Sequence, residues 1–586
     1  MVLFSHAEIP CMVIKGKVKG TGHWIGKRHN GTVDYCIVYV AGAWRFIDPH
    51  CGSRFSSRDF DEPDSDSGSR EEVARSPIGD DSGIACTDFY FLTDPEAFVF
   101  THLTCDPALQ LLAHPVSEDE FWEMAFLKEA FFDLEMTSVS HPKCVLEADD
   151  RGTIVLKFGL LKRRRCQFSY RLSKSTVEPA LNMIDGASLD QFVTMENLGE
   201  NLTATIHLPV IGRYKFELFG KDIKMRSGFS SVCEYAIYCK NPNFGFVPNP
   251  VNARKEWGPG AQTKELGLKP VEPLGGLVVA TDGEAKIRFR MMKSKDVPLH
   301  GILRTATGAL QKCVCHYKTS QEAVFLLKLP HSGSFLFQIF TKETEDSDAP
   351  LVNVCNYSVK SEQSLCDLES YLPVDDEFNL VGDQTSEMSD VRLKPVSHEE
   401  PVIGPLTQES LDITVSTSNT DAKFRMLLER HAHRNADAEN MSEYTQFRRS
   451  KDILQISVNF PKSGFYKLSI LTGDELLYVY LIDVKRLDSA GFQFPLTSPN
   501  WNSRFAVLKP RSGLLDAATE YLFRLKIPGL QEVRIEAGKV KKDLARAGTS
   551  PDVWEATVKT PGKSGSLKVF SKDQLLVTYK VCRLSV

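Results

Sequence analysis

The sequence predicts a mainly β chain in which several β-sandwich modules follow one another along 586 residues. A repeated phrase is the first observation behind that reading. Leu208-Pro209-x-x-Gly212-Arg213-Tyr214-Lys215-Phe216 returns as Leu329-Pro330-x-x-Gly333-Ser334-Phe335-Leu336-Phe337 and as Phe460-Pro461-x-x-Gly464-Phe465-Tyr466-Lys467-Leu468. It returns more loosely as Pro561 through Gly565-Ser566-Leu567-Lys568-Val569. Each glycine is followed, 14 to 24 residues on, by a tyrosine strand: Tyr235-Ala236-Ile237, Tyr357-Ser358-Val359, Tyr480-Leu481-Ile482 and Tyr579-Lys580-Val581. The third observation is the spacing. The glycines stand 121, 131 and 101 residues apart, and short alternating strands broken by Gly/Pro turns fill the intervals, as in sandwiches of about 100 residues.

The shared phrase reads as a turn that opens one strand of a hairpin, with the tyrosine strand as its partner and central in the sheet. The repeats place modules at 116–241, 242–362, 363–488 and 489–586. Gly245-Phe246-Val247-Pro248 and Gly491-Phe492-Gln493-Phe494-Pro495 mark matching openings, and Trp257-Gly258-Pro259-Gly260 marks another junction. The spacing predicts one helix over 118–128. Ser117 followed by Glu120 is a capping-box pattern, and that helix bridges the first sandwich to what precedes it.

Ahead of the modules, Tyr35-Cys36-Ile37-Val38-Tyr39-Val40 and Ala43-Trp44-Arg45-Phe46-Ile47-Asp48 form a hairpin around Ala41-Gly42. A two-residue turn there pairs Val40 with Ala43, Tyr35 with Asp48 and Val33 with His50. It places Val33, Tyr35, Ile37, Tyr39, Trp44, Phe46, Asp48 and His50 on one face. Positions 33 and 48 become diagonal neighbours about 7 to 8 Å apart, close enough for a His–Asp bond if a histidine stood at 33. Residues 56–84 are acidic and serine-rich with little apolar surface, so they read as a disordered insertion. Its serines are phosphorylation candidates, although a passive solvated loop is the simpler reading. Ordered sequence resumes at Phe89-Tyr90-Phe91-Leu92-Thr93-Asp94-Pro95 and runs on to His102.

Ile9-Pro10-Cys11, Ile14-Lys15-Gly16, Lys19-Gly20-Thr21-Gly22, the hairpin and the Phe91-Leu92-Thr93-Asp94-Pro95 block occur in that order. Together they resemble the transglutaminase-like domain of the kyphoscoliosis-peptidase and hillarin family, whose members carry immunoglobulin-like modules further on. The resemblance implies a partial transglutaminase-like α+β unit over 1–115, followed by tandem immunoglobulin-like β-sandwiches. Family members carry a His-x-Trp-Asn-Ala-Val strand, a glycine turn and then Trp-x-x-x-Asp. On this chain the histidine position is Val33, the tryptophan is Tyr35, the asparagine is Cys36 and the aspartate is Asp48. The family nucleophile sits upstream of the hairpin, so the expectation is a chain truncated at its N-terminus and catalytically degenerate.

The missing imidazole decides the chemistry. In the family triad the aspartate orients the histidine and the histidine deprotonates a cysteine. Valine accepts no proton, and a thiol without that help keeps a pKa near about 8.5. Cys11 matches a position that is not the nucleophile, and Cys36 points away from Asp48. His50 shares the Asp48 face and is the possible substitute base.

A net charge of −6 and a pI near 6.2 argue against a nucleic-acid surface. No stretch reaches the roughly 18 apolar residues a membrane helix needs, and Met1 to Lys15 lacks the basic and apolar regions of a secretory signal. Fourteen cysteines without a C-x-x-C suit a reducing cytoplasm. His431-Ala432-His433 offers two imidazoles but no third ligand at a zinc spacing, so neither metal nor cofactor is expected. Lys162-Arg163-Arg164-Arg165 reads as a charged hairpin tip. The expected function is a non-catalytic cytoplasmic scaffold with cytoskeletal or junctional protein partners, a partner class implied by the resemblance. The alternative is a cysteine peptidase or transglutaminase whose nucleophile lies outside the chain.

Overall fold

The computed structural model describes residues 2–20, 23–52, 88–161, 166–174, 183–224, 228–292, 298–310, 312–342, 350–362, 372, 374, 380–385, 389–419, 421–432, 437–485, 491–498, 500–502, 504–538, 540–548 and 550–583. The acidic segment 56–84, the basic run 162–165 and His433 lie outside them.

A small N-terminal unit comes first. Its strands are β1 (Cys11–Val18), β2 (Val33–Val40), β3 (Ala43–Ile47), β4 (Phe91–Thr93) and β5 (His102–Thr104), in the sheet order β4-β3-β2-β1-β5. The β2–β3 turn takes positive φ at both central residues, 53° at Ala41 and 82° at Gly42, the backbone of a type I′ hairpin turn. Pairing runs from Val40–Ala43 to Cys36–Ile47 and stops there. Pro49 removes a ladder donor and Pro49–Gly52 turns into a short helix, α1. The expected pairing of Val33 with His50 therefore does not form; Val33 pairs instead with Gly16 of β1. On the predicted face Tyr35, Ile37 and Phe46 are buried, whereas Val33 and Tyr39 are exposed. Helix α2 (Pro95–Phe98) and the turn after it carry the chain between the two edge strands, across the face bearing Tyr35 and Phe46.

The predicted bridging helix is shorter than the sequence suggests. Helix α3 spans Glu118–Glu123, and both halves of its capping box form between Ser117 and Glu120. It ends at Glu123 because Phe126–Leu127 joins the first sandwich as a strand beside Ser230–Cys239. The N-terminal unit is fastened to that sandwich: Lys19 is buried with its Nζ on the Met124 carbonyl at 3.2 Å, His23 stacks on Trp122, and Lys17 and Arg28 pair with Glu118 and Asp119.

Four sandwiches follow, each with its own apolar core. In each, the strand opened by the repeated phrase pairs antiparallel with the tyrosine strand, and that strand is flanked on its other side by a parallel strand from earlier in the module. The tyrosines that open the motif, Tyr235, Tyr357, Tyr480 and Tyr579, are at most 1% exposed. The phrase glycines show why the motif persists. Gly212, Gly333 and Gly464 have φ of 146°, 137° and 137°, a region nearly closed to side chains. Gly565, in the loose fourth copy, lacks a positive φ. Two residues on, Tyr214 and Tyr466 donate their hydroxyls back to the carbonyls of Val210 and Lys462 at 2.8 and 2.7 Å, forming tyrosine corners.

Two features differ from the sequence boundaries. Residues 242–257 bridge the first and second sandwiches: Phe246 stacks on His207, Asn249 bonds both Val193 and Ser358, Arg254 bonds Asn353, and Glu256–Trp257 adds a parallel strand beside Val193–Asn197. The second and third sandwiches are also not separate, because Leu380–Asp383 joins a sheet of each into one ten-stranded sheet. Neither feature has a local sequence signal; each rests on pairing between segments far apart in the chain.

Candidate functional site

Asp48 leaves the end of β3 buried, 3% exposed. Its Oδ1 accepts the backbone N–H groups of His50 and Cys51 at 2.8 and 3.0 Å, while its carbonyl accepts from Gly52. The carboxylate thus caps α1, and Pro49 occupies the helix start, where no N–H is missed. His50 enters this arrangement through its backbone; its side chain is exposed. The possible substitute base, His50, thus meets Asp48 through its backbone N–H.

Another imidazole meets Asp48. His102 Nε2 lies 3.0 Å from Asp48 Oδ2, and its side chain is fully buried. Phe98 stacks on it at 4.1 Å, and Tyr35 and Tyr90 stand edge-on at 5.4 and 5.5 Å. Its Nδ1 is 2.8 Å from Thr101 Oγ1. With Asp48 ionised, Nε2 carries the proton and donates to the carboxylate, so Nδ1 accepts from the Thr101 hydroxyl. Burial holds His102 below the ordinary imidazole range even though Asp48 pulls the other way. For Asp48, burial raises the pKa, but the bond from His102 and the Cys51 backbone outweigh it and leave it at about 2.

Cys51 completes the group. Its half-buried thiol donates to Asp48, and donor atoms of Asp48, Cys51 and His102 lie within 4.8 Å of one another. The sequence reading expected no metal-type donor set, and among the described residues this is the one group of three. The order of the groups matters. A nucleophile triad needs the imidazole between thiol and carboxylate; here the carboxylate stands between imidazole and thiol.

The other sequence candidates do not converge here. Val33 is 44% exposed. Cys11 and Cys36 lie on β1 and β2, where Cys36 pairs with Val13, and burial pushes the Cys36 thiol up. His431 ends the strand Phe424–His431 in the third sandwich. No disulfide forms among the described cysteines, and no helix among the described residues is long and apolar enough to cross a membrane. Sequence reasoning passed over His102 because its partner is 54 residues away. No local spacing announces it beyond its place eight residues after Asp94 in the Phe91-Leu92-Thr93-Asp94-Pro95 block.

The family described as "KY-like, immunoglobulin-like domain" matches residues 118–250, 264–370 and 376–488. Among curated proteins, the chain is 27% identical over 360 residues to hillarin of Drosophila melanogaster, covering 58% of this chain and 42% of hillarin. It is 26% identical to Lim and transglutaminase domain protein ltd-1 of Caenorhabditis elegans, covering 61% and 50%. It is 24% identical to the Homo sapiens kyphoscoliosis peptidase, covering 60% and 48%. The chain spans about half the length of these relatives.

Proposed function

The chain belongs to the KY-like immunoglobulin-like domain family, and from that premise we propose that it is a non-catalytic cytoplasmic scaffold, associated with the cytoskeleton, whose tandem sandwiches hold protein partners. The observation that carries this reading is the state of the Asp48 partner. His102 is enclosed by aromatic rings, both of its ring nitrogens are engaged, and it has no side-chain exposure. An imidazole so placed is a structural strut. It holds the end of β3, helix α1 and the start of β5 together. The tandem sandwiches make up most of the chain and supply long sheet edges and loops, to which partners add strands in many recognition modes.

Two measurements test this. The full chain is incubated with a thiol-directed probe of the cysteine-peptidase class, and labelled sites are mapped; Cys51 stays unlabelled under the scaffold reading. The chain is then pelleted with actin filaments, microtubules and intermediate filaments in turn, and co-sedimentation with none of them rejects the cytoskeletal assignment.

A second reading has one observation in its favour: the donor atoms of a thiol, an imidazole and a carboxylate lie within 4.8 Å of one another. On that reading the chain is a cysteine peptidase or transglutaminase with Cys51 as nucleophile and His102 as base. Labelling at Cys51 that disappears in His102→Gln would establish it over the first.

A further inference from the structure

We propose that Asp48, Cys51 and His102 form a binding site for a divalent transition metal, with zinc as the ion their donor set suits best. Sulfur, nitrogen and carboxylate oxygen are the three ligand types of protein zinc sites. Their donor atoms already lie within 4.8 Å of one another. Zinc bonds of about 2.0 to 2.3 Å require ligand separations somewhat shorter than that limit, so small rotations of the Cys51 and Asp48 side chains close the set. Three protein ligands leave a fourth position for water or an exogenous ligand.

The surroundings support a neutral imidazole as ligand. On metal binding the His102 proton moves from Nε2 to Nδ1, which then donates to Thr101 Oγ1 at 2.8 Å, while the Thr101 hydroxyl turns to the Phe98 carbonyl at 3.3 Å. That chain of imidazole, hydroxyl and carbonyl fixes ring orientation in the manner of outer-shell partners of metal-bound histidines. The Cys51 thiol loses its proton to solvent. The ion takes over the neutralisation of Asp48, and Asp48 Oδ1 keeps its two backbone bonds from α1. The backbone cradle is therefore present before the ion arrives. The stacked Phe98 and the edge-on Tyr35 and Tyr90 hold the histidine rotamer.

The test uses the full chain and zinc or cobalt ions alone. Cobalt titration should give one thiolate-to-metal charge-transfer band per chain, lost in Cys51→Ser and retained in Cys105→Ser, an exposed thiol outside the group. Zinc should slow alkylation of the Cys51 peptide at least about tenfold. Thr101→Val, which keeps the ligands and removes the outer hydroxyl, should weaken zinc binding by about 10- to 100-fold, with unchanged circular dichroism. A charge-transfer band that survives Cys51→Ser, or Cys51 alkylation indifferent to zinc, overturns the proposal. Neither result depends on whether the chain binds filaments or reacts with a peptidase probe.

Discussion

The joint between the second and third sandwiches and the joint between the third and fourth are built on different principles. At the first, Leu380–Asp383 pairs parallel with His316 and Tyr317 and antiparallel with Tyr478 and Val479. An apolar core spans the joint, with Cys315, Tyr317 and Val324 from one side, Leu372, Val374 and Val381 from the connection, and Phe465, Val479 and Leu481 from the other. Lys328, 3% exposed in its side chain, bridges Glu284 of one module and Asp483 of the next at 2.8 and 3.6 Å, with its ammonium over the Phe465 ring. At the second joint no strand is shared between sheets among the described residues. There Gln493 Nε2 donates to Glu443 Oε1 at 2.5 Å, Phe494 N–H to the Glu443 carbonyl at 2.8 Å, and Asn459 Nδ2 to the Phe492 carbonyl at 2.7 Å. Continuous sheet with buried apolar surface makes two modules one cooperative body. Hydrogen bonds at a partly solvated seam only orient neighbours, since each contributes about 1 kcal/mol net.

The largest expected effect comes from charging the shared core. Val381→Asp buries an unpaired carboxylate, which should cost about 3 to 5 kcal/mol. In calorimetry of the full chain it should split one transition for the second and third sandwiches into two. Two separate transitions already present in the unaltered chain would break the comparison. Next, Lys328→Met removes the cation between Glu284 and Asp483. Asp483 keeps Lys485 at 3.7 Å, so the expected loss is smaller, about 2 kcal/mol in denaturant unfolding.

On the other joint, Gln493→Ala should cost about 1 kcal/mol and leave the fourth sandwich melting as it did before. A change in the cooperativity of the third and fourth sandwiches would show that the polar seam couples more than hydrogen bonds can. The smallest effect is one of sign. Burial raises the Asp483 pKa, although Lys328 and Lys485 act to lower it. An acid whose folded pKa is raised contributes stability that is present at low pH and lost as pH rises through that pKa. The stability of the unaltered chain relative to Asp483→Asn should therefore increase as pH falls from neutrality toward the ordinary carboxylate range. A difference that is flat or opposite in sign across this window would remove Asp483 from the joint's energetics.

Much of the module architecture could be read from the residues, because its determinants are local. Gly212, Gly333 and Gly464 announce a backbone that other residues avoid, and the tyrosine strand follows at a short interval. The β2–β3 hairpin was readable for the same reason, since Ala41-Gly42 and period-two alternation set its register down to Ile47. The candidate site was half readable. Asp48 came from the spacing of the hairpin, but the expected pairing of Val33 with His50 fails at Pro49. The imidazole that reaches Asp48 comes from the far edge strand. Cys51 was not singled out, because its approach to Asp48 depends on α1 forming where an extended strand was expected.

By itself the sequence determined that this is a mainly β chain of repeated sandwiches behind a smaller unit whose hairpin carries Asp48. Those properties depend on side-chain period, turn stereochemistry and residue identity, all of which act over a few neighbouring residues. Only the tertiary structure decided that His102 meets Asp48 and Cys51, and that Leu380–Asp383 fuses two sandwiches into one sheet. Those contacts join segments tens of residues apart, and their free energy comes from burial and pairing that exist once the chain has closed on itself.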